Sequence, residues 1–396
     1  MKYWRGYLVA AIAAAFALAL MAFAQAHTEL IDIFYPYVTR MIQSFLTDWS
    51  SSVSFCLWQL VAAVLIIGVI TSVVLMVVLR WNPIQLIGWI LAVVSIVFFL
   101  HTGIYGLNYY AGPLSDDIRL ANEPYTLDEL EAATAYYRDQ ANTLSAQISR
   151  DSEKNPVFPS FETLAQQAEE GFHTLTYEEY MPVFAGSTVP VKKLGWADMY
   201  TAMGITGFTM FLTGEAAVNP QIPSISLPFT MCHEMAHRMC IAQEQDANMA
   251  AFLACRAHSE LPFRYSAYFM AYRYCYFALA SHSPEAAKRV VAGTNELLQH
   301  DMNYYSDFFN SRKNDSATEI ADTVNDTYIK VSGNDKGVAS YGEVCDLLVN
   351  WHIQTIILPS TIVEEEKFNP MDETQVDLSG LPNAKENYAN DVGNAE

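Results

Sequence analysis

His233-Glu234-Met235-Ala236-His237 is the segment of this chain whose residue types and spacing can do chemistry. Imidazoles four residues apart fall on one helix face, one turn apart, so both can reach a single ion. Zn²⁺ suits such a pair, and the intervening Glu234 is placed to take a proton from a water activated by the metal. The segment follows Pro228, sits in an amphipathic helical stretch and comes directly after a strand-like region.

Two histidines and a water leave one protein ligand to find. The metzincin pattern, HExxHxxGxxH, would put glycine at Cys240 and a third histidine at Gln243, so that class is excluded. Glu244-Gln245-Asp246-Ala247-Asn248 instead resembles the Glu-x-x-Ala-Asp or Glu-x-Glu-Ala-Asn helix of glutamate-ligand zinc peptidases. That resemblance implies Glu244 as the third zinc ligand and Asn248 as a residue behind the site that orients a histidine. In one unbroken helix His237 and Glu244 would stand about 10 Å apart along the axis, too far for metal bonds of about 2 Å. The chain must therefore turn between Arg238 and Gln243, although no glycine marks the place. Asp246 is the alternative ligand.

Other polar residues have weaker patterns. Glu215, in the Thr213-Gly214-Glu215 turn, can line a substrate cleft or be an ordinary surface carboxylate. His258 and Tyr265 can stabilise an oxyanion or serve the core. Six cysteines (56, 232, 240, 255, 275 and 345) contain no CxxC pair, so buried thiols are expected rather than a disulfide framework or zinc knuckle.

The elements that position these groups divide sharply. The chain has 396 residues, 52% hydrophobic and only 16% charged, with a net charge of −21. Residues 1–107 carry a net +1, so the remainder carries −22. No Lys/Arg-rich run occurs, which argues against nucleic acid as a partner. Three stretches, about 7–26, 54–79 and 83–106, lack Asp, Glu, Lys and Arg and are long enough to span a bilayer. The first can also be read as a signal peptide ending at Ala24-Gln25-Ala26, but its length favours an uncleaved span. Lys2, Arg5 and Arg80 belong inside, while Arg40 and Arg119 count the other way. This places everything after Asn108 outside.

Beyond the spans, Thr126 to Arg150 reads as a helix opened by a Thr126/Glu129 capping box, and 160–173 as another. Residues 182–229 form the one strand-like region, and helices return from Thr230 to about Trp351. Ser283-Pro284-Glu285 starts one of them. The aromatic stretch from Tyr265 to Ala280 has Arg273 at its middle and reads as a core helix rather than a fourth span. The fold expected is mainly α, with transmembrane helices over 1–107 and a mostly helical zincin-like domain over 108–363 that has a short β region before the HExxH helix. An acidic, solvated tail over 364–396 follows.

Several segments together resemble one bacterial family of uncharacterised membrane proteins with an outward HExxH domain. They are Gly106-Leu107-Asn108-Tyr109-Tyr110, Thr213-Gly214-Glu215 with Val218-Asn219, Pro228-Phe229-Thr230, and Ala254-Cys255 followed by Tyr265-Ser266. Tyr328-Ile329-Lys330 and Gly337-Val338-Ala339-Ser340-Tyr341 extend the likeness to nearly the whole chain except the tail. The chain departs at Cys240, where that family's pattern has glycine. The resemblance implies a multi-pass protein of the bacterial cytoplasmic membrane.

The function expected is a membrane-anchored zinc metallopeptidase acting on protein or peptide substrates at the outer face. The alternative is a non-catalytic sensor or assembly factor that keeps a structural zinc. A transporter is disfavoured, because the spans lack the ionisable groups that substrate pathways use.

Overall fold

Three apolar helices open the chain, and a fourth of a different kind lies between the first two. The computed structural model describes residues 4–80, 82–312, 314–331 and 343–359. Helices α1 (Arg5–Ala26), α3 (Leu57–Val78) and α4 (Pro83–Ile104) are long and apolar enough to cross a membrane, and they match the three stretches expected. Helices α1 and α4 pack closely through small residues. A Cβ added to Gly6 would lie 2.4 Å from the Gly88 carbonyl carbon, and Ala13, Ala17 and Ala92 are buried at the same contact. Small side chains let two helix backbones approach where no hydrophobic effect drives them together.

Helix α2 (Thr28–Ser50) starts one residue after α1 ends, at His27, and is amphipathic in an inverted sense. Its polar side chains Thr39, Arg40, Gln43, Thr47 and Ser50 face inward and are buried. Its large apolar ones, among them Ile33, Phe34, Val38, Met41, Phe45 and Trp49, face outward. The inward face is hydrogen-bonded to distant backbone. Gln43 Nε2 donates to the Phe211 carbonyl (3.0 Å) and Thr47 Oγ1 to that of Gly214 (2.7 Å). Gly214 has φ +63°, and a Cβ there would meet the Thr47 backbone nitrogen at 2.6 Å, so this approach requires glycine.

After a 3₁₀ turn at Gly106–Tyr110, the chain is mostly helical. Helices α5 (Leu114–Asp117), α6 (Leu127–Ser145), α7 (Phe161–Gln167) and α8 (Glu169–His173) come first. Thr126 and Glu129 make the expected capping box, and α6 ends at Ser145 rather than at Arg150. The strand-like region forms a three-stranded sheet of β1 (Lys192–Lys193), β2 (Gly207–Met210) and β3 (Glu215–Val218), with the short α9 (Ala197–Ala202) between the first two. Strand β3 is central, parallel to β1 and antiparallel to β2, with Thr209 opposite Ala216. Strand β2 is therefore an edge.

Helices α10 (Leu227–Arg238), α11 (Glu244–Ala257), α12 (Leu261–His282), α13 (Pro284–Val291), α14 (Glu296–Arg312), α15 (Asp315–Val331) and α16 (Val344–His352) follow. Buried α11, from Ala247 to Cys255, lies at the centre of the core, packed by α10, α12 and α16. Helix α12 contains the aromatic stretch and is largely buried against α6, as a core helix should be. Ser283 caps α13 through the Ala286 amide. All six cysteines are buried and free. The acidic stretch 364–396 and the Gly337–Tyr341 segment lie outside the described residues.

Candidate metal centre

The turn demanded between Arg238 and Gln243 is present, and it is made without glycine. Helix α10 ends in a Schellman arrangement, in which the Cys240 amide donates to the His237 carbonyl (2.9 Å) and the Ile241 amide to that of Ala236 (3.1 Å). This geometry needs a left-handed residue, and Cys240 supplies it at φ +69°. Arg40 of α2 donates from Nε to the Met239 carbonyl (3.1 Å), placing a cation on the negative end of the α10 dipole. The chain then re-enters a helix at Glu244, the first residue of α11, where the positive end of that dipole favours a carboxylate.

The result brings His233, His237 and Glu244 together. The two Nε2 atoms are 3.1 Å apart, and Glu244 Oε2 lies 3.4 Å from the first and 3.5 Å from the second. Three atoms each about 2.0–2.1 Å from one tetrahedral ion would stand about 3.3–3.4 Å apart, so the triangle fits zinc. The two imidazole nitrogens lie within hydrogen-bond distance of each other, while Glu244 Oε2 is buried and meets neither in hydrogen-bonding geometry. The Ile241 carbonyl lies 2.8 Å from His237 Nδ1. An N–H donated there leaves the Nε2 lone pair for a metal, the usual way a ligand histidine is oriented. This carbonyl belongs to the turn that Cys240 makes possible.

Electrostatics agree with the geometry. Burial alone would lower His237, but the Glu244 and Glu234 carboxylates and the Ile241 carbonyl raise it to about 9. Burial would raise Glu244, yet the two imidazoles hold it well below the usual carboxylate range. Burial pushes Glu234 upward, opposed by His233, His237 and the Thr209 hydroxyl. That hydroxyl, on edge strand β2, donates to Glu234 Oε2 at 2.7 Å. Gly207 of the same strand lies so close that a Cβ there would sit 2.3 Å from Glu234 Oε1. Burial raises the Cys240 thiol to about 11, which keeps it protonated and unsuited to metal.

The remaining expected residues go elsewhere. Asn248, one turn beyond Glu244, accepts from the Tyr274 hydroxyl (3.2 Å), and its buried Nδ2 has no hydrogen-bond partner. Asp246 accepts from the Leu114 amide (3.1 Å) and does not join the triangle. Burial, with Asp117, Asp116 and Glu343 nearby, raises it to about 7.

Glu215 lines no cleft. Its carboxylate accepts from the Leu57 and Trp58 amides (2.7 and 2.9 Å), capping the first turn of α3, and pairs with buried Lys192 (2.6 Å). His258 is a core group at the far end of α11, about 20 Å along the axis from Glu244. Its ring stacks on Phe263, with Nε2 2.9 Å from the Gln167 carbonyl and Nδ1 accepting from the Glu260 amide (2.9 Å). The Tyr265 hydroxyl donates to buried Asp301, which also takes both terminal nitrogens of Arg150 at 2.8 Å. Neither is placed to meet an oxyanion.

Sequence reasoning missed Thr209, Gly207, Arg40 and the Ile241 carbonyl. The strand-like signature covered the first two without singling them out, and the last two act through distant or backbone contacts that no motif records. A family model described as a protein of unknown function, DUF3810, matches residues 32–349. No curated protein and no solved structure matches the chain.

Proposed function

The chain belongs to the DUF3810 family of proteins of unknown function, and from that premise we propose that it is a membrane-anchored, zincin-like zinc metallopeptidase with its metal domain outside the bacterial cytoplasmic membrane. The observation that carries this is the triangle of His233, His237 and Glu244, with Glu234 one residue away on a buried helix. Zinc held there would polarise the scissile carbonyl and make the attacking water acidic near neutral pH. Glu234, whose pKa burial has raised, would be the base that accepts a proton from the attacking water and passes it to the leaving amine. Thr209 fixes the carboxylate for this task. Strand β2, hydrogen-bonded to β3 on one side, offers its other edge to an extended substrate backbone.

Two further observations support the reading. Structural zinc sites close with four protein ligands, whereas catalytic ones leave a position open. Among the described residues only three candidate ligands converge. The small-residue packing of α1 against α4 suits a retained span rather than a removed leader. A multi-pass arrangement with three crossings then leaves α2 and the metal domain on one side.

Purified protein should contain about one zinc per chain, and Glu234→Gln should abolish peptide cleavage with the zinc retained. Protein that binds no zinc with all three ligands intact would overturn the assignment. A Glu234→Gln protein that is stable, zinc-loaded and fully functional in the cell would instead favour a sensor or assembly factor.

A further inference from the structure

We propose that the substrates are polypeptides held in the same membrane and cut within the first several residues outside the bilayer. This deepens the peptidase reading above and rests on it.

The edge strand that flanks Glu234 is strung between the outer ends of two spans. At one end, the Phe208 ring packs on Trp58, the second residue of α3, with ring centres 5.1 Å apart. At the other, Phe211 packs on His101, in the last turn of α4, at 4.5 Å. Thr209, between these contacts, bonds to Glu234. One ring contact, one peptide step and one hydrogen bond thus link the first turn of α3 to the Glu234 carboxylate, a path no longer than several extended residues.

The surroundings have the character of a membrane interface. Gln59, in the first turn of α3, exchanges hydrogen bonds with the Gly195 backbone at 2.8 and 3.2 Å. Next to it Trp196 is 55% exposed, Met199 is 48% exposed, and Phe208 on the edge strand is 41% exposed. Tryptophan with apolar neighbours is typical of the headgroup level. Helix α2 adds the strongest sign. It begins one residue after α1 and ends six residues before α3, so both ends lie where the chain leaves and re-enters the bilayer. Its outward apolar stripe, from Ile33 to Trp49, runs about 24 Å, and the occupant consistent with those two anchorages is the lipid of the outer leaflet. The opposite face bonds to Met239, Phe211 and Gly214 and so holds the metal helix and the edge strand down on that plane.

A soluble protein would have to bring an extended loop flat against the lipid to reach β2. A segment emerging from the bilayer is already there, at an effective concentration on the order of millimolar.

The test uses the full chain in phosphatidylethanolamine/phosphatidylglycerol vesicles. The probes are a transmembrane anchor peptide carrying a randomised six-residue cassette either three or twenty-five residues from the bilayer, and the same cassette as a free peptide, with Glu234→Gln as the blank. The expected result is at least tenfold faster cleavage at the short spacing than at the long one or in the free peptide. Equal cleavage of all three overturns the substrate class and leaves the peptidase reading standing. No cleavage of any probe by zinc-loaded protein overturns both. An independent arm places nitroxides on Phe34→Cys, Met41→Cys and Phe45→Cys, the six native thiols being buried. Relaxation by dissolved oxygen is expected to dominate, and relaxation by a water-soluble nickel complex would overturn the seating on lipid whatever the protein cleaves.

Discussion

On the proposed peptidase reading, adding one methyl group at Gly207 should disable Glu234 as proton shuttle while leaving metal binding intact. A Cβ at this position would lie 2.3 Å from Glu234 Oε1 and 2.7 Å from its Cγ and Cδ. Ordinary contact needs about 3.3 Å or more, so the carboxylate must retreat by about 1 Å. It is buried, and the Thr209 hydroxyl holds Oε2 at 2.7 Å, so there is no solvent to swing into and a hydrogen bond to lose. Misplacing a catalytic group by about 1 Å costs about a hundredfold in rate, or about 2.7 kcal/mol of transition-state stabilisation. The loss should fall mainly on kcat, since neither the zinc ligands nor the open edge of β2 moves. The assay compares kcat/KM on a cleaved peptide, zinc per chain and thermal midpoint for Gly207→Ala against wild type. Gly103→Ala serves as control, because a Cβ there meets nothing within 4 Å. Activity within threefold of wild type would refute the reasoning, and so would loss of zinc, which would show that the methyl disturbs the ligands rather than the base.

Three other outcomes follow from the same structure. Glu215→Gln leaves the buried Lys192 ammonium without its counter-charge and weakens the α3 cap, and should cost about 3–5 kcal/mol by denaturant titration in detergent. Cys240→Gly removes the left-handed penalty of about 1 kcal/mol but also the buried thiol, so a small rise in thermal midpoint is expected with zinc unchanged. Cys240→Val should lower the midpoint by several degrees, and equal midpoints for the two variants would remove the strain argument. Burial lowers the pKa of His258, and its Nδ1 must stay unprotonated to accept from Glu260. The folded state therefore binds its proton less readily than the unfolded one. The stability this contributes is complete above the unfolded value of about 6.5 and is lost as pH falls through the lower folded value. Wild type should lose thermal midpoint below pH 6.5, and His258→Phe should lose less over that interval.

The residues legible in the sequence were those tied together by local spacing. His233, Glu234 and His237 follow from one helical turn, and the break before Glu244 follows from a length that no single helix can satisfy. Cys240 shows the limit of that logic, since a left-handed turn can be filled by a residue that no turn rule selects. Glu215, His258 and Tyr265 went elsewhere because their partners are remote. Leu57 lies 158 positions from Glu215, Gln167 lies 91 from His258, and Asp301 lies 36 from Tyr265. Helix α2 has no counterpart among the expected elements, and nothing local says which of its faces turns inward. Here the polar face is buried, because distant carbonyls of Met239, Phe211 and Gly214 receive it.

The carboxylate that caps α3 has a consequence for the order of assembly. Leu57 and Trp58 are synthesised long before Glu215, so in the proposed topology the helix they begin would enter the bilayer while that carboxylate is still unmade. Until the sheet forms, water at the interface has to serve those two amides, and Lys192 waits for the same partner. In the topology proposed above, folding of the outer domain would complete a helix already inserted, through contacts of high sequence separation, the kind that form slowly. A nascent chain arrested before residue 215 would carry spans that are inserted but not yet locked in place.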